Sequence, residues 1–196
     1  ATIVITAVND APVAVAVDSS GNEGGIIRAT LIAMDVDDSE PTGFTFSIIS
    51  QPINKIDSVI IGDVSYDSGT FTAVATYTHD DSQTIIDSLT YKANDGTVDS
   101  DISTATITIM AINDAPVLDA IISQTANEDD SLSIPLSATD VEGDSLVWSL
   151  GSQASNGVAS VVGSGANPTE VIFTPAMNFA GADSFTVQVS DGNANT

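Results

Sequence analysis

Acidic side chains, and the asparagines beside some of them, occur in the same order in the two halves of this sequence. The matched positions are Asn9 and Asp10 with Asn113 and Asp114, Glu23 with Glu128, Asp35 and Asp37 with Asp140 and Glu142, and Asp95 with Asp191. Carboxylate and amide oxygens are the ligands that Ca²⁺ prefers, and the ion takes roughly six to eight of them. Alternate residues of an extended chain point the same way, so an acid-x-acid pair can present two carboxylates to one ion. The pattern therefore predicts a recurring calcium site.

The overall charge of the chain also favours cation binding. Its 196 residues include 27 acidic side chains and 3 basic ones, giving a formal net charge of −24. Such a surface repels nucleic acid and anionic membranes and attracts cations, and no apolar run has the length of a membrane span. Asp outnumbers Glu 22 to 5, and the short Asp side chain suits turns and tight cation sites. Salt adaptation or simple solubility is the alternative that charge alone leaves open.

The sequence offers little for other chemistry. It has no cysteine, which excludes disulfides, zinc–thiolate sites and thiol nucleophiles. His79 is its one histidine. We expect His79 to be a solvated loop residue beside Asp80 and Asp81, and not part of a catalytic triad or a metal site. Trp148 alternates with leucines on both sides, which favours core packing over stacking on a sugar. We therefore predict no enzymatic activity.

The segments that must position the acidic residues are repeated as well. The joint Asn9–Val13 recurs at Asn113–Val117, about 100 positions later, and residues 1–8 match residues 105–112. The proline of each joint fixes φ and favours an extended residue before it, which gives a short and stiff connection. A strand-like run, an acidic joint and a proline-started strand at domain spacing indicate a tandem array.

The repeated joint defines the predicted domains. One repeat is predicted over residues 9–112 and a second over residues 113–196. Residues 1–8 are predicted to be the last strand of a preceding repeat, and the second repeat is predicted to lack its own final strand.

Each repeat has the pattern of an antiparallel β-sandwich. Apolar and polar residues alternate over short runs that are separated by turn residues, and no window has helical periodicity. One strand is predicted over Ala11–Val17, and Pro135 is predicted on the outward face of an edge strand. The predicted inward-facing residues are Ile27, Ala29, Leu31, Ala33, Phe44, Phe46, Ile48, Leu89, Tyr91, Ala93, Leu132, Ile134, Leu136, Ala138, Leu146, Trp148, Leu150, Phe185, Val187 and Val189.

The order of these motifs resembles that of the cadherin repeat: a Glu, then Ala-x-Asp-x-acid, then Asp-Gly, then the joint. The Asn-Asp-Ala-Pro-Val form of the joint resembles still more the cadherin-like repeats of large bacterial surface proteins, of the kind found in VCBS and RTX-type adhesins. The resemblance covers nearly the whole chain. It implies an all-β fold of two tandem Ig-like or cadherin-like sandwiches in an elongated array, with Ca²⁺ bound between consecutive repeats.

The resemblance also implies a set of ligands for each joint. At the middle joint these are Glu23, Asp80 or Asp81, Asn113, Asp114, Asp140, Glu142 and Asp191. At the preceding joint they are Asn9, Asp10, Asp35, Asp37 and Asp95, and Glu128 belongs to a following joint. Cadherins have an acid where this chain has Ala111 and an asparagine where it has Ala115. We therefore expect fewer ions per joint than in cadherins, about one or two.

The predicted function is that of calcium-rigidified extender or adhesion repeats in a large extracellular protein of a bacterial surface. The expected cofactor is Ca²⁺, and the expected partners are neighbouring repeats. A cell-surface or glycan ligand and homophilic contact stay open. Residues 1–8 are expected either to be disordered or to add as a strand to the second repeat of a neighbouring molecule. The alternative is a carbohydrate- or protein-binding module of a multidomain secreted protein, because one sandwich fold hosts both roles.

Overall fold

The structure is a computed structural model that describes residues 1–163 and 169–193. The chain divides into two compact units, Ala1–Ile112 and Asn113–Thr196. Every regular element among the described residues is a β-strand, so these residues include no helix that is long and apolar enough to cross a membrane. The predicted all-β fold class is confirmed.

All residues of the first unit are described, and they form two sheets. The strands are β1 (Val13–Val15), β2 (Val17–Asn22), β3 (Ile26–Met34), β4 (Thr45–Ser50), β5 (Ile60–Ile61), β6 (Ser65–Asp67), β7 (Thr70–Thr78), β8 (Ile86–Asn94) and β9 (Ser103–Met110). One sheet has the order β1-β3-β7-β5, with β6 also paired to β7, and the other has the order β2-β9-β8-β4.

Alternation along the strands places the core of the first unit between its two sheets. The predicted inward faces of β3 and β8 are buried throughout, at Ile27, Ala29, Leu31, Ala33, Leu89, Tyr91 and Ala93. Phe44 stacks on Phe71 of the opposite sheet, with 3.8 Å between the ring centroids. The Tyr91 hydroxyl donates a hydrogen bond to the carbonyl of Val15, which satisfies a polar group that reaches into this core. Period-two alternation is thus sufficient to identify these core faces.

The beginning of the first unit differs from its prediction. The run Ala11–Val17, predicted as one strand, contributes to two, because β1 pairs with β3 in one sheet and β2 pairs with β9 in the other. The β2–β9 pair is parallel, beginning with Val17 opposite Ala105. This one parallel pair departs from the otherwise antiparallel pairing of the first unit. Alternation identifies a strand and its faces, but it carries no information on the direction of the neighbouring strand.

The described residues of the second unit form a similar set of strands. They are β10 (Val117–Leu118), β11 (Leu132–Leu136), β12 (Ala138–Thr139), β13 (Val147–Ser152), β14 (Gly157–Val162), β15 (Thr169–Pro175) and β16 (Thr186–Ser190). They pair as β10-β12, β11-β15-β14 and β13-β16. Within this part of the chain β11 has one neighbour, and Pro135 is exposed on it, which confirms the predicted edge position.

The β13–β16 pair of the second unit repeats the β4–β8 pair of the first. Phe46 lies opposite Ala93 in one ladder, and Trp148 lies opposite Val189 in the other. Trp148 is buried in a cluster with Leu136 and other apolar side chains, so its predicted core position is confirmed. Residues 1–12 form no strand. That residues 1–8 are the last strand of a preceding repeat therefore stays a prediction.

Candidate cation sites

The loop after β3 holds a buried carboxylate with one satisfied oxygen. Asp35 Oδ1 accepts hydrogen bonds from the backbone N–H of Asp37 at 2.8 Å and of Asp38 at 3.1 Å. These contacts turn the chain back on itself as β3 ends, in the manner of an Asx turn. Asp35 Oδ2 is also buried, and no donor among the described residues reaches it. A buried, charged oxygen without a partner is costly, and a cation would compensate it.

Hydrogen bonds join the joint before β1 to the loop after β8 and to the loop after β3. Asn9 Nδ2 donates to Asp95 Oδ2 at 2.8 Å, and the Asp10 N–H donates to Asp37 Oδ2 at 2.6 Å. Three separate segments of the first unit, before β1, after β3 and after β8, are thereby tied into one acidic cluster with Asp35. The five residues predicted for the preceding joint are all part of it.

The pKa values of two members of this cluster are shifted, in opposite directions. The Asn9 amide, followed by the Val98 backbone N–H, lowers the pKa of Asp95 to about 2. Burial raises the pKa of Asp38, and the negative charges of Asp35, Asp95 and Asp37 add to the rise. Sequence comparison missed Asp38, because the second repeat has Gly143 where the first has Asp38. The charges of neighbouring carboxylates thus contribute to the raised pKa of Asp38, after burial.

The second unit repeats two features of this arrangement with its own residues. Asn113 Nδ2 donates to Asp191 Oδ2 at 2.7 Å, as Asn9 does to Asp95. Asp140 Oδ1 accepts the Asp144 N–H at 2.9 Å. Asp140 Oδ2 is buried without a donor in reach among the described residues, and so are both carboxylate oxygens of Glu142. The amide of Asn113, followed by the backbone N–H of Asn193, lowers the pKa of Asp191.

The two clusters therefore share an unusual feature at equivalent positions. Asp35 and Asp140 each use one carboxylate oxygen to hold their own loop and keep the other buried without a donor among the described residues. Oxygen-rich, mostly carboxylate surroundings are the donor set that Ca²⁺ prefers. The residues present fit a bound calcium ion in each unit. Asp114, the residue after Asn113, is half-buried.

Glu23 is placed differently from its repeat equivalent. It is buried, its Oε2 accepts from Gln83 Nε2 at 3.0 Å, and its Oε1 accepts the backbone N–H of Ile112. Glu23 therefore fixes the end of the first unit where the chain leaves it. Glu128, in contrast, is exposed in a segment without strands. Its assignment to a following joint stays a prediction.

Asp80 and Asp81 lie at the same end of the first unit as Glu23. Both are exposed. The pKa of Asp80 is lowered, mainly by a hydrogen bond from the Ser82 side chain. Asp81 packs against Gly24, where an added Cβ would meet Asp81 Oδ1 at 2.5 Å. The structure thus keeps both residues near Glu23, and no hydrogen bond joins either of them to the cluster around Asp35.

His79 is not the solvated loop residue that the sequence predicts. It is completely buried, and its Nδ1 accepts N–H groups from Gly24 at 3.4 Å and from Asp81 at 3.2 Å. His79 continues the inward face of β7 two residues beyond Tyr77. The prediction is wrong because the neighbouring aspartates suggested a loop, whereas period-two counting from Phe71 assigns His79 to the core face.

A pair of matched carboxylates was missed by sequence comparison. Asp87 accepts the backbone N–H groups of Ile53 at 3.2 Å and Asn54 at 3.3 Å. Asp183 does the same for Ser155 at 3.0 Å and Asn156 at 2.7 Å. The available signal was an Asp-Ser pair directly before the apolar residues Leu89 and Phe185 of the two repeats. Their oxygens are occupied by backbone donors, which makes them loop clamps and leaves them little capacity for a metal.

Comparison with solved structures supports the cadherin-like fold. The human desmocollin-1 ectodomain shares 15% identity over 95% of this chain and 35% of its own, with a TM-score of 0.53. The protocadherin gammaB4 extracellular domain shares 19% identity over 89% of this chain and 28% of its own, with a TM-score of 0.50. The chain thus spans about a third or less of these structures. No curated protein sequence matches it.

The match to a family of domains covers nearly the whole sequence. The model described as "Bacterial Ig domain" matches residues 9–109 and, separately, residues 113–196. Both matches begin at the asparagine of a repeated joint, which agrees with the internal repeat and with the two clusters built on it. The chain belongs to the bacterial Ig domain family and carries two tandem copies of that domain.

Proposed function

We propose that the two domains are calcium-stiffened spacer repeats of a large extracellular protein on a bacterial surface. The observation that carries the proposal is the equivalent pair of buried carboxylate oxygens, on Asp35 and Asp140, that have no donor among the described residues. Tandem bacterial Ig domains with cadherin-like neighbours fit extender or adhesion repeats. This fold and family are typical of extracellular proteins. The adhesin context is part of the proposal.

The residues that would hold the ion are those of the two clusters. In the first unit they are Asn9, Asp10, Asp35, Asp37 and Asp95, and in the second unit they are Asn113, Asp114, Asp140, Glu142 and Asp191. The cadherin resemblance adds Glu23, with Asp80 or Asp81, as ligands that the first repeat gives to the joint after it, and Glu128 as the one for a following repeat. A bound Ca²⁺ supplies two positive charges to carboxylates that otherwise repel one another.

The contribution of the protein is to bring the joint to the ion. Asn9 and Asp10 precede β1, and they already bond to Asp95 and Asp37 of the body of the repeat. These bonds are exposed, and repulsion among the carboxylates opposes them. Neutralising the cluster strengthens the attachment of the joint to its repeat and removes freedom from the connection. Stiffening then depends on the calcium concentration, so the array is loose where calcium is scarce and rigid where it is abundant.

Calorimetric titration of chelator-treated protein with Ca²⁺ tests the proposal. We expect binding at sub-millimolar affinity, loss of a site in the first unit on Asp35→Asn, and loss of one in the second on Asp140→Asn. Asp63→Asn, an exposed position in the first unit, removes the same charge and is the matched control. Absence of binding, or equal weakening by all three variants, would favour salt adaptation.

The carbohydrate-binding alternative gains no support from the aromatic residues. A sugar platform needs exposed aromatic faces. All aromatic side chains of the sequence lie in the described ranges, and each is buried or half-buried. We therefore propose a non-catalytic spacer whose partners are the neighbouring repeats.

A further inference from the structure

The five-stranded sheet of the first unit has an apolar outward face. The face is formed by residues 13–78, all of which the structure describes. Alternation turns every second side chain away from the core, and Ile26, Ile60 and Val74 are 57%, 70% and 40% exposed on this face. Val13 and Met34, which lie opposite each other in β1 and β3, are also exposed there. Such a group of exposed apolar side chains marks a surface that can bind a partner.

The outward face carries one charged side chain of each sign. Arg28 on β3 and Asp67 on β6 are the charged residues of the five strands, in a chain with 27 acidic side chains. Both are exposed, and no carboxylate among the described residues pairs with Arg28. Asp67 accepts only the hydroxyl of Ser68, at 2.9 Å, among the described side-chain donors. A second copy of this acidic chain can therefore approach the face without net repulsion.

The two charges occupy opposite corners of the face. Arg28 lies opposite Thr76, on the β3 side of β7. Asp67 lies opposite Thr70, on the β6 side of β7. The strand geometry separates the two charges by about 20 Å along the strands and about 10 Å across them, so the midpoint between them lies on β7 beside Val74. A two-fold axis through this midpoint, in the plane of the face and at right angles to the line between Arg28 and Asp67, exchanges their positions. The face is therefore complementary in charge to a second copy of itself.

We propose that this face binds the same face of a second copy of the chain, sheet on sheet, about such a two-fold axis. Arg28 of each copy lies against Asp67 of the other, Val74 lies near the axis, and Ile26 and Ile60 pack around it. The face measures about 30 Å by about 15 Å, so the two copies bury roughly 1,000 Å² in total, which is the size of a weak specific interface. The contact therefore joins separate molecules reversibly.

The corresponding sheet of the second unit lacks this balance of charge. Glu170 of β15 lies between Pro135 of β11 and Val162 of β14, and Pro135 and Val162 are exposed. The second unit contains no basic residue, since Arg28, Lys55 and Lys92 all precede it. Two copies of this sheet would bring carboxylates together without a cation to oppose them. The proposed contact is therefore specific to the first unit.

Charge reversal with rescue tests the two-fold pairing. Sedimentation equilibrium of the whole chain in chelator is expected to show association that increases with concentration. Arg28→Glu alone and Asp67→Arg alone each convert both ion pairs into like-charge pairs, so each is expected to weaken association about tenfold or more. An equimolar mixture of these two variants is expected to regain association, because each chain then meets the opposite charge at both corners. A mixture that associates no better than either variant alone would overturn the pairing.

A charge at the centre of the face tests the apolar contact. Val74→Asp is expected to weaken association about 100-fold or more, because the axis brings one new carboxylate from each copy close together in an apolar contact. The matched control, Ile86→Asp, adds the same charge on the outward face of the other sheet, where Ile86 is 58% exposed. It is expected to change association less than about tenfold. A mass independent of concentration in the unaltered chain, or equal effects of the two variants, would overturn the proposal. Association in chelator keeps this result separate from the calcium proposal.

Discussion

The two domains of this chain have equivalent acidic loops on sheets that differ in completeness. The bond from the joint asparagine to the aspartate after the penultimate strand is 2.8 Å in the first unit and 2.7 Å in the second. The sheet that supports this aspartate has four strands in the first unit, and its counterpart among the described residues of the second has two. The acidic loops are therefore set by local turns and by one strand pair. They do not require a closed sheet.

The two domains differ in how deeply their matched core positions are buried. Leu89 and Tyr91 of β8 are fully buried, whereas Phe185, directly before β16, and Val187 of β16 are half-buried. Residues 119–131, which follow β10, form no strand, although the matching region of the first unit forms β2. An extended segment needs a partner for its backbone groups, and in the first unit β9 supplies that partner to β2. In the first unit, the pairing of β9 with β2 and β8 therefore determines how deeply the matched positions are buried.

Core truncation is expected to show the largest difference between the domains. Leu89→Ala should lower the free energy of unfolding of the first unit by about 3–4 kcal/mol, because a fully buried side chain leaves a cavity. Phe185→Ala should cost the second unit about 1–2 kcal/mol, since the ring is already partly in water. Tyrosine circular dichroism reports the first unit and Trp148 fluorescence the second during urea unfolding. Equal losses for the two variants would contradict this difference in burial.

Calcium is expected to stabilise the two domains equally. At about 100 times its dissociation constant, Ca²⁺ should stabilise each unit by about 2.7 kcal/mol. Asp35→Asn should abolish this gain in the first unit and leave it in the second, and Asp140→Asn should do the reverse. The same two spectroscopic signals in thermal unfolding separate the units. A gain confined to one unit in the unaltered chain would show that the clusters are not equivalent.

Loss of either loop clamp, Asp87 or Asp183, is expected to have a smaller effect, which differs between the two domains. Asp87→Ala should destabilise the first unit by about 2–3 kcal/mol, because Asp87 is buried and its loss leaves backbone N–H groups without acceptors. Asp183→Ala should cost less, since water reaches Asp183 more readily. Urea unfolding of each variant measures both losses. A greater loss for Asp183 would mean that the open unit relies on its clamp more than the closed one does.

The smallest expected effect is a dependence on pH in the second unit. The Asn156 and Ser155 N–H groups lower the pKa of Asp183 below its ordinary value of 3.8. The folded state therefore favours the ionised form, and this stabilisation is complete above the ordinary pKa and is lost as the pH falls through the lowered one. Trp148 fluorescence in chelated protein should show Asp183→Asn to be less sensitive to acid over this window than the unaltered chain. Identical acid sensitivity would rule out this contribution.

The features that depend on local periodicity and on repetition could be predicted from the sequence alone. Alternation identified the buried face of β3 from Ile27 to Ala33, and the repeated joint identified Asn9 and Asn113 as equivalent residues. Except for Asp38, the acidic residues gathered in each cluster were predicted because the same residue types recur in order. These features are local, since a strand exposes alternate side chains on one face whatever its neighbours are.

The contacts between segments far apart in sequence became visible only in the tertiary structure. It divided the first predicted strand between two sheets with a parallel β2–β9 pair, it buried His79, and it used Asp87 and Asp183 as clamps for distant loops. It also left β16 with an open edge along the described chain. Strand neighbours, their direction and the loops that cover them depend on contacts between residues far apart in sequence. Periodicity gives the face of a strand, and only the packed fold gives its partner.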